Sequence, residues 1–368
     1  MGKKLTKITS SKPIIGITMG DPAGIGPEVV VKAVTDKKVK QICLPLVFGS
    51  YQVISSAAGK FLKRSNVKKI IYVEDTKTSK TGNWRLETGN CINVLDCSHF
   101  DHTKVKMGEI TKLSGRMAAD SVFCATQFAL SDQIDAVVTA PLSKNGLHLA
   151  GYDFPGHTEL LAYLTAARNY AMMFVSVQSP PSTVDRRPST EKYKVVLVTT
   201  HLPLSEVART LSKNKILEKL SLTQGALQKY FGVKKPQIGV CALNPHCGEE
   251  GLFGTEEKKF IIPAIRSAQQ SGIQAKGPFS ADTIFSPRIS QDFDCILAMY
   301  HDQGLIPLKM RGLGEAVNVT LGLPIIRTSP DFGTALNIAG KGTADPKGMI
   351  NAILLAVRMT KKIKTQGN

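Results

Sequence analysis

The 368-residue chain has no run of about 20 apolar residues, the length needed to cross a bilayer. Its best apolar stretches, such as residues 14–19 and 195–198, have the length of buried strands, so a membrane protein is not expected. The first residues are basic, but the apolar run behind them is interrupted by Gly16 and ended by Gly20-Asp21. No signal-peptide core forms there, and export is not expected. Paired cysteines are also missing: seven are scattered with no Cys-x-x-Cys spacing, which excludes a zinc ribbon and points to a reducing cytoplasm. Acidic residues are few, 29 against 47 Lys and Arg, leaving a formal net charge of +18. Such a balance suits nucleic acid, a membrane surface or small anions. The lysines are spread along the chain, however, and no RNA-binding aromatic motif or helix-turn-helix accompanies them. Solvated surfaces and a small anionic ligand are therefore expected, with no nucleic-acid partner.

What is present is an alternation of short β-branched runs and amphipathic helical stretches, the pattern of an α/β protein with a largely parallel, buried sheet. Strands are predicted at residues 14–18, 44–48, 69–73, 136–139, 172–177, 194–199, 237–242 and 295–299. Helices are predicted at 115–131 and, from the spacing of Leu211, Ile216, Leu220 and Leu227, as one element at 206–230. Residues 1–12 read as a disordered basic tail, and the polar, proline-rich 179–189 as a mobile loop. There is no internal repeat and no clean linker, which allows domains that exchange chain segments.

Three of the seven histidines share one context. His201, His246 and His301 each closely follow an apolar, β-rich run. In a parallel sheet the carboxyl ends of strands lie on one edge, where ligands bind, so three imidazoles can converge there. Such a set suits zinc or cobalt, and the nearby carboxylates of Asp282 and Asp302 widen the choice to manganese or magnesium. Residues 20–28 form a glycine-rich turn between the first strand and a helix; it is neither G-x-G-x-x-G nor a P-loop, and reads equally as a structural turn or an anion-binding loop. Downstream of His301 come Lys309, Asn318 and Arg327, which with His157 and Thr158 are suited to neutralising a phosphate. Residues 333–346 are small and glycine-rich, the composition that lets backbone approach a flat ligand.

Together these segments resemble the 4-hydroxythreonine-4-phosphate dehydrogenase family of vitamin B6 synthesis, from Pro13 to the carboxyl terminus. The motifs are Gly20-Asp-Pro-Ala-Gly-Ile-Gly-Pro-Glu28, Gly156-His-Thr-Glu159, Thr200-His-Leu-Pro-Leu204, Asn244-Pro-His246, Tyr300-His-Asp-Gln-Gly304 and Asn318-Val-Thr-Leu-Gly-Leu-Pro324. The intervals of 45 and 55 residues between the three histidines also resemble the family's. Phe332 stands where many members have His, and Asn337 where an acidic residue is usual.

The resemblance implies two three-layer α/β domains with a cleft between them, like isocitrate and isopropylmalate dehydrogenases and unlike Rossmann enzymes. We place the first at residues 13–125 plus 303–368 and the second at 126–302. It implies His201, His246 and His301 as ligands of one divalent cation (Zn, Co, Mg or Mn) and His157, Thr158, Lys309, Asn318 and Arg327 as substrate contacts. Gly333, Thr334, Ala335 and Asn337 become contacts of NAD or NADP. Asp282, Asp302 and Lys309 are the candidates for proton transfer. The expected reaction is oxidation of 4-phosphooxy-L-threonine to the 3-oxo acid, which decarboxylates to 3-amino-2-oxopropyl phosphate, by a cytoplasmic homodimer whose active site lies at the subunit interface. Two alternatives stand: a dehydrogenase of threonate or erythronate 4-phosphate, and a three-histidine metallohydrolase needing no nicotinamide.

Overall fold

The computed structural model describes residues 12–63, 65–73, 86–98, 100–177, 193–310 and 316–366. The expected tail, save Lys12, and the expected 179–189 loop lie outside these residues. Twelve strands are described: β1 (Ile14–Thr18), β2 (Leu44–Gly49), β3 (Lys69–Val73), β4 (Cys91–Asp96), β5 (Ala136–Thr139), β6 (Ala171–Ser176), β7 (Tyr193–Leu197), β8 (Gln237–Cys241), β9 (Gln274–Phe279), β10 (Cys295–Ala298), β11 (Ala316–Leu321) and β12 (Arg327–Pro330). The helices used below are α1 (Gly26–Val34), α2 (Lys37–Ile42), α3 (Lys112–Leu130), α4 (Lys144–Leu149), α5 (His157–Leu164), α6 (Leu204–Thr210), α7 (Lys213–Phe231), α8 (Ala281–Ile284) and α9 (His301–Met310).

The chain divides into two compact units, residues 1–167 with 323–361, and residues 168–322 with 362–368. The divisions fall at 167/168 and 322/323, not near 125 and 302 as the sequence suggested. The reason is packing: α3 lies on β1, β2 and β5, which keeps β5 and the helices after it in the first unit, while β11 pairs with β6 along its whole length and stays in the second.

In the first unit the strand order is β3-β4-β2-β1-β5-β12, and each neighbouring pair is parallel. This differs from the 3-2-1-4-5-6 order of a Rossmann sheet. Ile14, Ile15 and Ile17 on β1 and Val29, Val30 and Val31 on α1 are almost wholly buried, as expected for strands covered on both faces. Helix α3 begins earlier than its apolar pattern, because Thr111 and Ser114 form a reciprocal cap that satisfies the first free amides.

In the second unit the order is β11-β6-β7-β10-β8-β9. Strands β7, β10, β8 and β9 are mutually parallel, and β6 pairs antiparallel with both β7 and β11. The single helix expected at 206–230 is two, α6 and α7. Ser212 has extended backbone and its side chain accepts from the amide of Lys215, so a new N-cap interrupts the helical spacing. Gly232, in left-handed conformation, closes α7.

Four strands lacked a readable pattern. β9 carries Lys, Gly and Pro and buries only Ala275, and β12 (Arg-Thr-Ser-Pro) has no large apolar side chain although every residue is buried. β4 and β11 are buried along almost their whole length but their apolar runs are interrupted by Asn93, Asn318 and Thr320.

Close helix contact is written into the glycines. A Cβ on Gly115 of α3 would run into the backbone of Gly146 on α4. Gly115→Ala is therefore expected to cost about 1–3 kcal/mol through overpacking, measured by urea unfolding; a loss indistinguishable from zero would contradict the packing.

Candidate active site

Histidines 201, 246 and 301 follow β7, β8 and β10, three parallel strands with β10 between the other two, so their loops leave the same edge of the second unit. Two polar ties hold these loops together. The Thr199 hydroxyl and amide both donate to the Met299 carbonyl (2.8 and 3.1 Å), joining the ends of β7 and β10. The Gln303 side chain accepts from the Met299 amide and donates to the Ala242 carbonyl (both 2.7 Å), joining β10 to β8. Gly304, one turn into α9, leaves the space that lets this helix lie against Val195, Leu197 and Ala298.

The His201 and His301 rings are brought to 5.8 Å between centroids. His301 Nδ1 lies 2.6 Å from the Asp302 carboxylate, which fixes the ring and leaves Nε2 as the outward donor atom. His246 opens a turn in which residues 246–250 all have left-handed backbone, four of them non-glycine. Each such residue costs about 1–2 kcal/mol, so the turn must be held from outside. Buried Glu257 does this: its carboxylate accepts from the amides of Leu243 and Asn244 (2.9 and 2.8 Å) and from the Asn244 side chain (2.9 Å). Among the described residues no three His, Cys, Asp or Glu side chains converge to hold an ion. The donor chemistry suits a borderline divalent cation, and the structure brings together two of the three imidazoles.

The two acids differ in what they can do. Asp282, exposed on α8, accepts from the hydroxyls of Ser280 and Thr283 (2.6 and 3.1 Å); these bonds, with a contribution from His246, hold its carboxyl below the usual range. It is thereby a poorer base. Asp302 is committed to His301. Lys309 is half-buried near the end of α9. Asn318, on β11, is 8% exposed and its Oδ1 has no partner among the described residues.

A second cluster belongs to the first unit. Arg327 on β12 is the largest fully buried side chain, and its Nε and Nη2 donate to the Thr139 hydroxyl on β5 (3.2 and 2.6 Å). Burial pulls its pKa down to about 9, with Glu159 opposing, so the guanidinium is still charged at neutral pH. His157 and buried Thr158 open α5, whose first amides point outward with the positive end of the helix dipole. Burial first, then the Arg327 charge, pushes the His157 pKa well below its ordinary value, and its Nε2 is enclosed without a partner. A buried cation, an imidazole kept neutral and the start of a helix are thus neighbours in the first unit, a donor chemistry that suits an anion.

The 20–28 turn resolves as a brace. Its amides are used internally: Asp21 N donates to Pro141 O, Ala23 N to Asp21 Oδ1, Gly24 N to Asp21 O and Ile25 N to Thr334 O. The anion-binding alternative is corrected accordingly, since no run of free amides is left. Buried Glu28 instead accepts from the amides of Gly342 and Ala344, and Lys32, ion-paired to Glu28 at 2.7 Å, donates to the carbonyls of the same two residues. The segment holding Gly333, Thr334, Ala335 and Asn337 is thus clamped at both ends. Gly333 and Asn337 are exposed, with open space over Gly333, and Ala335 is left-handed. Glu28, Glu257, Gln303 and Thr199 were not singled out from sequence, although Glu28 and Gln303 lay inside motifs that drew attention.

The pyridoxal phosphate biosynthetic protein PdxA family model matches residues 41–356. A 4-hydroxythreonine-4-phosphate dehydrogenase of Desulforapulum autotrophicum is 41% identical over 95% of this chain and 96% of its own. A D-threonate 4-phosphate dehydrogenase of Cupriavidus necator is 39% identical over 93% and 95%. The crystal structure of a 4-hydroxythreonine-4-phosphate dehydrogenase from Klebsiella pneumoniae superposes with a TM-score of 0.80 at 35% identity, covering 96% of this chain and 99% of that one. With the fold and motifs described above, the chain belongs to the PdxA family of pyridoxal phosphate biosynthetic proteins.

Proposed function

We propose that the protein is a nicotinamide-dependent dehydrogenase that oxidises the C3 hydroxyl of 4-phosphooxy-L-threonine, the 3-oxo acid then losing carbon dioxide to give 3-amino-2-oxopropyl phosphate. The observation that carries the reading is the buried Arg327 beside neutral His157 and the start of α5, a cradle built for a phosphate, in a chain of this family. Arg327 and the α5 amides hold the phosphate, and Thr158 adds a hydroxyl donor. Asn318, with its unused Oδ1, is suited to accept from a substrate amino or hydroxyl group. The clamped 333–346 segment is our site for the cofactor, NAD or NADP.

His201, His246 and His301 are our ligands for one divalent cation, supported by their three adjacent strands and by the His201–His301 approach. Bound there, a cation would polarise the reacting hydroxyl and stabilise negative charge on its oxygen. Asp302 orients the His301 ring and so drops out as proton acceptor. Of the three candidates for proton transfer, Lys309 fits best, since Asp282 is exposed and held as a weaker base by two hydroxyls. A homodimer remains part of the proposal. No helix among the described residues is long and apolar enough to cross a membrane.

The second reading, oxidation of D-threonate 4-phosphate, is favoured by the Cupriavidus necator relative at nearly the same identity. Parallel assays of NADH formation distinguish the two. Turnover of phosphooxy-threonine well above that of D-threonate 4-phosphate is expected, and the reverse order would replace the first reading with the second. Formation of product without any nicotinamide would favour the metallohydrolase.

Two further outcomes are expected. Asp302→Asn should weaken cobalt binding about 10–100-fold in calorimetry; unchanged affinity would exclude His301 as an oriented ligand. Glu28→Ala should raise the KM for the nicotinamide about tenfold, equivalent to about 1.4 kcal/mol of loop ordering, while kcat stays within about twofold. A fall in kcat alone would mean that the clamp does not serve the cofactor.

A further inference from the structure

The amino-terminal edge of the first unit's sheet carries a cavity of about 370 Å³, at the opposite end of the strands from the 20–28 brace. It lies where β2 and β4 begin, beside α2, and its walls include Lys12, Lys37, Lys40, Glu87 and Asn93. At about 3.3 Å per residue, five-residue strands separate this edge from the other by about 17 Å. The volume falls within the range of small-molecule sites, about 300–1,000 Å³.

The charge in this cavity is unbalanced. Lys37 and Lys40 have no ion pair or hydrogen bond from their ammonium groups among the described residues, and the Lys12 ammonium reaches the Lys40 carbonyl at 3.0 Å. Burial lowers the pKa of Lys40, which marks its ammonium as partly desolvated without a carboxylate to compensate. The one carboxylate in the wall, Glu87, is shared with Lys69 outside it at 3.4 Å. The wall is also built rather than loose: the Asn93 side chain accepts from the Glu87 amide and donates to the Glu87 carbonyl, both at 2.9 Å. Leu44, Pro45 and the Cys43 thiol, whose pKa burial raises to about 12, give an apolar and unreactive floor.

We propose that this cavity is a second ligand site, distinct from the catalytic edge, for a small organic phosphate whose dianion meets Lys37 and Lys40 and whose apolar body lies on the Leu44–Pro45 floor. A phosphate monoester carries about −1.5 to −2 charges at neutral pH, which matches the uncompensated ammonium groups. A purely apolar ligand would desolvate the Lys40 ammonium further without supplying a charge to pair with it.

Phenyl phosphate, inorganic phosphate and phenol serve as probes of the intact protein. Calorimetry should show phenyl phosphate binding more tightly than inorganic phosphate, with phenol giving no heat. The Lys37→Ala/Lys40→Ala double variant should lose at least tenfold in phenyl phosphate affinity at this site while kcat and KM of the dehydrogenase reaction are unchanged. In the unmodified protein, phenyl phosphate should protect Lys37 and Lys40 from acetic anhydride, read by mass spectrometry, and leave Lys38, exposed on the same helix but outside the cavity, fully reactive. Equal reactivity of the three lysines, or binding of phenol as tight as that of phenyl phosphate, would overturn the proposal. So would affinity that is the same in the double variant, which would assign the heat to the Arg327 cradle.

Discussion

Parallel pairing is the constraint on which the chemistry of this chain depends. When β7, β10 and β8 run the same way, every connection must cross back over a sheet face, and the loops after these strands are delivered to one edge. That is how histidines 45 and 55 residues apart in sequence come to leave a common edge. Pairing alone leaves the loops free to splay. The Thr199–Met299 and Gln303–Ala242 hydrogen bonds limit this by joining neighbouring strand ends just before the functional residues begin.

The candidate site residues show where the fold spends stability. Five successive left-handed residues from His246 to Glu250 and the fully buried Arg327 are each unfavourable in isolation. Each has an identifiable counterweight: the Glu257 carboxylate on the turn, and Thr139 with Glu159 on the guanidinium. A buried guanidinium held in place by neighbouring polar groups suits an anionic substrate, because its geometry is fixed before the ligand arrives. In the first unit the clamp formed by Glu28 and Lys32 orders a glycine-rich segment that would otherwise sample many conformations.

Most of the strands legible in the sequence carry runs of buried β-branched residues, such as β1 and β5. Those it concealed carry functional or edge residues. β12 reads as a loop because Arg327, Thr328 and Ser329 are polar, yet all are buried; β11 is broken in pattern by Asn318. Local pattern rules fail where buried positions are reserved for chemistry instead of packing. The helix predicted at 206–230 failed for a different reason: hydrophobic spacing continued across Ser212 while the backbone did not.

The sequence by itself determined the α/β class and the family, since these rest on local spacing and short motifs, and it named the candidate site residues on the same basis. It could not divide the chain at 167/168 and 322/323, because strand partnership between distant segments decides that. Nor could it say that the 20–28 turn braces the 333–346 segment, that Asp302 is tied to His301, or that His246 stands on a left-handed turn. Those outcomes depend on which amides and carboxylates find partners once the chain is packed, and the partners lie up to 316 residues away.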